Sequence, residues 1–157
     1  MAMRLSGYSD SDWGGDTATR RSTSGYVFFV AGGPVSWASR LQRTVALSST
    51  EAEYLALTDA VKEALWLRSI FAEFGFHLSP TELFCDNQGA ICLASNYLTS
   101  GRTKHLDIRV HFIRQCIREE SIVLGWISTQ DMIADLFTKP LLKIIFRRLM
   151  MQLMQQI

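Results

Sequence analysis

The sequence changes its periodicity at Ser48, and this change limits the possible folds more than any other feature. Before Ser48, short runs rich in β-branched and aromatic residues are divided by glycine-containing turns, a pattern typical of strands. After Ser48, apolar residues recur at helical spacing to about Glu73, and Gly75 is the predicted stop. Ser48 and Glu51 have the spacing of a capping box, which marks the beginning of a helix. We therefore predict a β-rich unit followed by one long helix.

The remaining segments extend this pattern into a mixed sheet. Strands are predicted at residues 4–10, 25–30, 44–47, 82–85 and 122–127, and residues 35–39 also alternate apolar and small polar side chains. Helices are predicted at residues 48–73, 87–96, 104–119 and 131–139. Three antiparallel strands followed by strands joined through helices imply an α/β fold, with a mixed five-stranded sheet and helices on both faces.

The chain has 157 residues, which is the length of one ordinary domain. We predict one domain over residues 1–140, because no linker or repeat divides it, and a helical tail over residues 141–157. The tail is rich in Leu, Ile and Met, and its apolar residues occupy more than one helix face. A packed final helix, an oligomer contact and the product of a frame change in a decayed element are all consistent with this segment.

The composition argues against several classes of protein. A net charge of +1 is not that of a strongly basic nucleic-acid-binding domain, although basic residues can still cluster locally. Cys85, Cys92 and Cys116 form no C-x-x-C motif, which indicates buried thiols in a reducing compartment rather than a disulfide or zinc framework. The sequence contains no secretory signal and no apolar run of about 18 residues, so we expect an intracellular protein without a membrane span.

Acidic residues stand where predicted strands end. Asp10 closes the first strand and Asp86 follows the fourth, and ligands in open sheets gather at such strand ends. Glu53 and Asp135 lie on predicted helices next to strand ends. Carboxylates from separate elements can hold two divalent metal ions about 3.5–4 Å apart for phosphodiester hydrolysis. The four acids together therefore predict a two-metal nuclease site.

The local sequence leaves alternatives for the first two acids. Asp12 shares a strand face with Asp10 but lies further into the predicted loop, and either residue also suits an Asx turn. Glu51 has the capping role, whereas Glu53 shares a stripe with small apolar residues that should face the sheet. A carboxylate directed at the sheet needs a metal ion or an arginine as partner, unless the helix end frays. We favour Asp10 and Glu53 as ligands.

The other two acids also have ordinary structural interpretations. Asp86 precedes a predicted helix, where an aspartate often serves as the N-cap. Asp135 lies inside a predicted helix despite the poor helix propensity of aspartate. Near Thr138 and Lys139, it also fits a solvated helix face. The local sequence does not choose between these roles and metal binding.

Eight short stretches follow one another in a specific order along about residues 7–140. They are GYSDSDWGGD, RRSTSGYVFF, GGPVSWASR, TVALSSTEAEYLAL, KEALWLR, LFCDNQGAI, RTKHLDIRVHFIR and TQDMIADLFTKPL. As an ordered set they resemble the ribonuclease H domain at the C-terminal end of copia-type LTR-retrotransposon polyproteins. The resemblance implies the ribonuclease H fold and cleavage of the RNA strand of RNA–DNA hybrids with two Mg²⁺ or Mn²⁺ ions. It further implies a reverse transcriptase of the same polyprotein as partner, and a location in cytoplasmic retrotransposon particles or the nucleus.

The family motifs place the metal ligands on the same four acids. YSD, AEYLAL, FCDNQ and IADLFTK carry these roles onto Asp10, Glu53, Asp86 and Asp135. One departure concerns the loop before the last aspartate, where many ribonucleases H have a histidine and residues 125–130 have none. The general acid is therefore unassigned. His105 and His111 are alternatives in sequence order, but we favour a surface and a packed histidine for this pair.

A hybrid substrate needs basic residues against its phosphates and contacts to its 2′-hydroxyls. The residues predicted for these contacts are Arg20, Arg21, Asn87, Gln88, Arg102 and Lys104. A solvated surface charge is the commoner role of such basic residues. The tryptophans are predicted to lie mostly in the core; they are Trp13, Trp37, Trp66 and Trp126.

Two functions compete for this sequence. The first is a metal-dependent ribonuclease H that acts on hybrids during reverse transcription, and the presence of all four acids favours it. The second is a module of the same fold, decayed or reused without catalysis, that binds nucleic acid or supports a reverse transcriptase. Another nuclease or an integrase-like member of the fold is a weaker third interpretation, because the TEAEY and FCDNQ contexts argue against it.

Overall fold

Five strands form one mixed sheet in the computed structural model, which describes residues 3–95 and 107–154. They are β1 (Leu5–Asp12), β2 (Thr23–Val30), β3 (Gly33–Leu41), β4 (Thr81–Cys85) and β5 (Ile122–Trp126). Their order across the sheet is β3-β2-β1-β4-β5. The pairs β1–β2 and β2–β3 are antiparallel, whereas β1–β4 and β4–β5 are parallel. The predicted α/β fold with a mixed five-stranded sheet is confirmed.

Helices cover both faces of the sheet. They are α1 (Ser49–Glu73), α2 (Gln88–Ser95), α3 (Asp107–Arg118) and α4 (Lys143–Met154), with two 3₁₀ helices at Thr129–Asp131 and Ile133–Phe137. Because successive strand residues point to opposite faces, Phe28 packs with α1, α2 and α3 while Phe29 packs with the second 3₁₀ helix. The predicted helical tail is the segment that forms α4, and its Leu153 contacts the cluster around Phe29.

Local signals set both ends of α1. The Ser48 hydroxyl accepts a hydrogen bond from the Glu51 amide at 3.1 Å, as the capping box predicts. Glu51 completes the cap by accepting from the Leu47 amide at 2.9 Å, one residue before the expected donor. At the other end, Gly75 has a φ of 81°, a left-handed conformation that glycine adopts without strain. The predicted stop at Gly75 is correct.

Three predicted elements need correction. The strand predicted at residues 44–47 does not form, because β2 pairs with Gly33–Leu41 instead. The first strand does not end at Asp10 but continues to Asp12, which pairs with Thr23 of β2. The helix predicted at residues 131–139 is replaced by two short 3₁₀ helices, since Met132 between them is extended.

The tryptophans are not in the core, so that prediction was wrong. The exposed fractions of Trp13, Trp37, Trp66 and Trp126 all lie between 55% and 60%. Two of them hold loops in place, because the Trp13 indole donates to the Ala46 carbonyl and the Trp126 indole donates to the Asp86 carbonyl. Cys85 and Cys116 are buried as predicted, whereas Cys92 is exposed. Along the described ranges, no helix has the length and apolar character needed to cross a bilayer.

Gly25 allows the segment after the second 3₁₀ helix to approach the sheet closely. It lies opposite Asp10 in the β1–β2 ladder. A Cβ atom at this position would lie 2.6 Å from Cγ2 of Thr138 and 2.9 Å from Cβ of Phe137. Since real Cβ atoms do not make contacts this short, any larger residue would push this segment away from Asp10.

Replacing Gly25 with alanine should therefore destabilise the protein by about 1–3 kcal/mol, the usual range for overpacking. Urea denaturation measures the free energy of unfolding. Gly33→Ala is the matched control, because its nearest contact would be an ordinary 3.8 Å from the Val30 carbonyl. Equal stability of the two variants would contradict the close approach of Phe137 and Thr138 to Gly25.

Candidate metal centre

The parallel pairing of β1 with β4 brings two acids to the same edge of the sheet. Tyr8 of β1 pairs with Phe84 of β4. Asp10 lies two residues beyond Tyr8, and Asp86 lies two residues beyond Phe84. Because parallel strands run in the same direction, both acids emerge at the carboxyl end of the strand pair. Asp86 directly follows the end of β4, as the sequence predicted, whereas Asp10 lies inside β1, two residues before its end.

Asp10 is almost completely buried, with an exposed fraction of 1%. Its Oδ2 atom accepts a hydrogen bond from the Thr138 hydroxyl and lies 3.4 Å from Nζ of Lys139. Asp12 has a different role, because its Oδ1 accepts from the Thr23 amide across the strand pair. The two side chains therefore have different partners, although both residues lie inside β1.

Glu53 projects from the first turns of α1 towards the sheet and is 6% exposed. Its stripe partners Ala56, Leu57 and Ala60 are fully buried, as the helical spacing predicted. One carboxylate oxygen accepts from the Ser11 amide of β1 at 3.2 Å. The other lies 3.9 Å from Sγ of Cys85. Glu53 is therefore held at the edge of the sheet by β1 and β4 together.

Asp86 lies beside Glu53 and is partly exposed. Glu53, Cys85 and Asp86 each offer one ligand atom, and these atoms lie within 4.8 Å of one another. The N-cap of α2 is Asn87, whose Oδ1 accepts from the Ala90 amide at 2.9 Å. The capping interpretation of Asp86 is therefore wrong. Its carboxylate instead accepts from the Thr129 hydroxyl at 2.7 Å.

Asp135 is buried, not a solvated helix-face residue, since its exposed fraction is 5%. Its Oδ1 lies 3.0 Å from Nζ of Lys139, which also approaches Asp10. Sequence reasoning did not assign Thr138 or Lys139 to the site. The spacing of four residues between Asp135 and Lys139 was the available signal, because it is the spacing of an ion pair within one helical turn.

Two of the acids, Glu53 and Asp135, have raised pKa values. Burial, then the charges of Asp10 and Asp86, raise the pKa of Glu53 to about 9. Burial, then the charge of Asp10, raise the pKa of Asp135 to about 6. Burial alone would lower the pKa of Lys139, but the charges of Asp10 and Asp135 outweigh it and the net shift is upward. Burial and the neighbouring charges together therefore disfavour full ionisation of the cluster.

This donor set fits a hard divalent cation. Carboxylate oxygens are the ligands that Mg²⁺ prefers, and a divalent ion would relieve the repulsion between Asp10, Glu53 and Asp86. Cys85 is the one sulfur donor that the described residues place beside these carboxylates, and burial, then the charge of Glu53, raise the pKa of its thiol in the metal-free protein. The predominance of carboxylate oxygens therefore favours an oxygen-ligated ion over a zinc–thiolate site.

The residues predicted to contact nucleic acid lie in separate parts of the chain, and two of them fall outside the described residues. Arg20 and Arg21 lie in the β1–β2 loop, where the Arg21 guanidinium donates to the Thr19 hydroxyl at 3.1 Å. Asn87 is occupied as the α2 cap, while Gln88 is exposed. Arg102, Lys104 and His105 lie outside the described residues. His111 is on the surface, 3.4 Å from Asp107, as we favoured for one of the two histidines.

Comparison with solved structures defines the class of the domain as the ribonuclease H fold. The crystal structure of LC11-RNase H1 in complex with RNA/DNA hybrid superposes with a TM-score of 0.63 at 15% identity. The match covers 86% of this chain and 94% of that chain. At this level of identity, the likeness establishes the fold. No family model matches the sequence.

The sequence relatives are retrovirus-related Pol polyproteins of transposons. The chain is 46% identical over 135 residues to the polyprotein from transposon TNT 1-94 of Nicotiana tabacum, covering 86% of this chain and 10% of the relative. It is 40% identical over 146 residues to that from transposon RE2 of Arabidopsis thaliana, covering 92% and 10% respectively. The chain is thus a homologue of one segment, about a tenth in length, of copia-type Pol polyproteins, and the resemblance seen in the sequence is confirmed.

The raised pKa of Glu53 predicts how the stability of the metal-free protein changes with pH. The ordinary pKa of 4.5 applies in the unfolded chain, so folding favours the protonated form. The stabilisation from this group is complete below pH 4.5, falls as pH rises towards about 9, and is then lost. Glu53→Gln keeps the shape of the side chain and should gain stability over wild type between about pH 5 and about pH 8.

Urea denaturation in the presence of a chelator measures this pH dependence. Glu51→Gln is the control, because it changes the neighbouring acid in the α1 cap. A gain for Glu53→Gln that does not grow with pH would show that Glu53 is not buried beside Asp10 and Asp86 as described.

Proposed function

We propose that this chain is a metal-dependent endoribonuclease that cleaves the RNA strand of RNA–DNA hybrids during retrotransposon reverse transcription. The observation that carries the proposal is the gathering of Asp10, Glu53, Asp86 and Asp135 at one edge of a ribonuclease H fold. The Pol polyprotein relatives support it, since they supply a reverse-transcription context. A protein of the same fold has been crystallised with an RNA/DNA hybrid, which supports this class of substrate.

The four carboxylates are the proposed catalytic residues, as ligands of two Mg²⁺ or Mn²⁺ ions. When bound, such ions activate a water molecule and stabilise the leaving oxygen of an in-line displacement. The chain keeps these ligands in position. The Ser11 amide orients Glu53, the Thr129 hydroxyl orients Asp86, and the Thr138 hydroxyl orients Asp10.

The partial exposure of Asp86 indicates the side from which a substrate can reach the site. Asp10, Glu53 and Asp135 are buried, so they are reached from the side where Asp86 and Thr129 meet solvent. We propose that the hybrid approaches from this side. Gln88 is exposed next to the site and is the proposed contact to a 2′-hydroxyl or a base edge, while Arg20 and Arg21 are proposed phosphate contacts.

The chain is proposed to work beside a reverse transcriptase of the same polyprotein. It spans about a tenth of the relatives' length, so most of such a polyprotein lies outside it. We further propose a reducing, intracellular location, in cytoplasmic particles or the nucleus, because the described cysteines are free and Cys85 and Cys116 are buried thiols.

One observation favours the second function, a decayed or reused module that binds nucleic acid without cutting it. The ammonium group of Lys139 already neutralises part of the charge on Asp10 and Asp135. A site that has lost its metal ions would keep such an internal cation.

Incubation with an end-labelled RNA–DNA hybrid and Mg²⁺ or Mn²⁺ tests the proposed activity. We expect cuts in the RNA strand that need the metal ion. Asp86→Asn should lower the rate by about 100-fold or more, because even residues that support metal ligands are worth about 10- to 100-fold. Asp59→Asn, an exposed aspartate on α1, is the control and should retain the wild-type rate.

The alternatives separate clearly in this assay. Folded wild-type protein that binds the hybrid and leaves the RNA intact would support the non-catalytic module. Cleavage that persists at full rate in Asp86→Asn would contradict the assigned ligand.

A further inference from the structure

Lys139 places a positive charge between two buried carboxylates that belong to different elements. Its Nζ atom lies 3.0 Å from Oδ1 of Asp135, in the second 3₁₀ helix, and 3.4 Å from Oδ2 of Asp10, in β1. The side chains of the two acids are 8% and 2% exposed, whereas that of Lys139 is 32% exposed. The cation thus enters the cluster from a partly open side.

The backbone around Lys139 holds it in this position. Its amide donates to the Asp135 carbonyl at 3.3 Å, and the preceding Thr138 donates its hydroxyl to Asp10. Gly25 provides the room for this turn against the sheet. The packing of the segment therefore fixes the backbone of Lys139 at a place from which its ammonium group reaches both acids.

We propose that Lys139 is a resident counter-ion, which neutralises Asp10 and Asp135 in the metal-free protein and competes with a divalent metal ion for these carboxylates. The inference rests on the proposed function in one respect, since it takes these acids as metal ligands. It assigns to Lys139 a role in setting the affinity for the ion, separate from any contact with substrate.

Both acids that contact Lys139 are buried, and this distinguishes the contact from an ordinary surface ion pair. Arg4–Glu82 and Lys62–Asp59 join partners that are both well exposed, and such pairs contribute little. Removing one partner from a buried pair leaves an uncompensated charge and is strongly destabilising. Lys139 faces two buried acids, so its removal would leave both without their cation.

Competition follows from the same geometry. A divalent ion that takes Oδ2 of Asp10 or Oδ1 of Asp135 would lie within a few ångströms of the ammonium group, where like charges repel. The flexible lysine stem and its partial exposure give the ammonium group a route to solvent. Binding of the ion is therefore coupled to release of Lys139 from the two carboxylates.

Lys139→Met removes the charge and keeps a long side chain, so it tests the proposal directly. In the metal-free protein, thermal unfolding should occur at a lower temperature than in wild type. In calorimetric titration with Mn²⁺ alone, the variant should bind about tenfold or more tightly. Lys139→Arg keeps the charge and should resemble wild type in both measurements.

Lys143→Met is the matched control, because Lys143 is an exposed lysine at the beginning of α4. It should change neither the unfolding temperature nor the Mn²⁺ affinity. If Lys139→Met does not fold, Asp135→Asn with and without Lys139→Met provides the comparison at lower negative charge. The double variant should still bind Mn²⁺ more tightly than Asp135→Asn.

Mn²⁺ affinity that is unchanged or weaker in Lys139→Met would overturn the proposal, as would absence of Mn²⁺ binding in every variant. The result of the cleavage assay tests the proposed nuclease activity independently of the Mn²⁺ affinity. Tighter Mn²⁺ binding without hybrid cleavage would support the counter-ion and reject the nuclease. Cleavage with unchanged Mn²⁺ affinity would do the reverse.

Discussion

Several carboxylates are buried together at one edge of the sheet, and the surrounding elements are arranged to compensate their charge. Asp10, Glu53 and Asp135 are each more than nine-tenths buried, and burying charge is unfavourable unless partners compensate it. The protein supplies backbone and hydroxyl donors and the ammonium group of Lys139, but the pKa of Glu53 is still raised to about 9. Burial comes first among the causes and the charges of Asp10 and Asp86 follow. A divalent ion would offset both, so instability without the ion and affinity for it would have one origin.

The arrangement of the sheet makes this concentration of charge possible. Parallel pairing of β1 with β4 brings the ends of two strands together, and α1 crosses the same edge so that Glu53 lies between them. The fourth acid comes from the opposite face, on a 3₁₀ helix that can approach because Gly25 has no side chain. The site thus draws on elements from both layers of helices.

Much of this was predictable from the sequence, where the signals are local. The capping box and the helical stripe were sufficient to place α1 and to select Glu53 over Glu51. Residues 44–47 were misassigned because a run that suits a strand forms one only with a free partner, and β2 is paired with β1 and β3. The contact of Thr138 with Asp10 joins residues 128 positions apart, which no local pattern reveals. The contact of Lys139 with Asp10 was missed for the same reason, although the spacing of four residues between Lys139 and Asp135 was a local signal that was not used.

The proposed chemistry requires the carboxylates of Asp10, Glu53 and Asp86 to bind a divalent cation together. Anomalous diffraction from crystals grown with Mn²⁺ tests it most directly, because it locates the ion without reference to activity. We expect an anomalous peak enclosed by these three carboxylates. A well-ordered site without a peak, or a peak elsewhere while Lys139 still contacts Asp10 and Asp135, would contradict it.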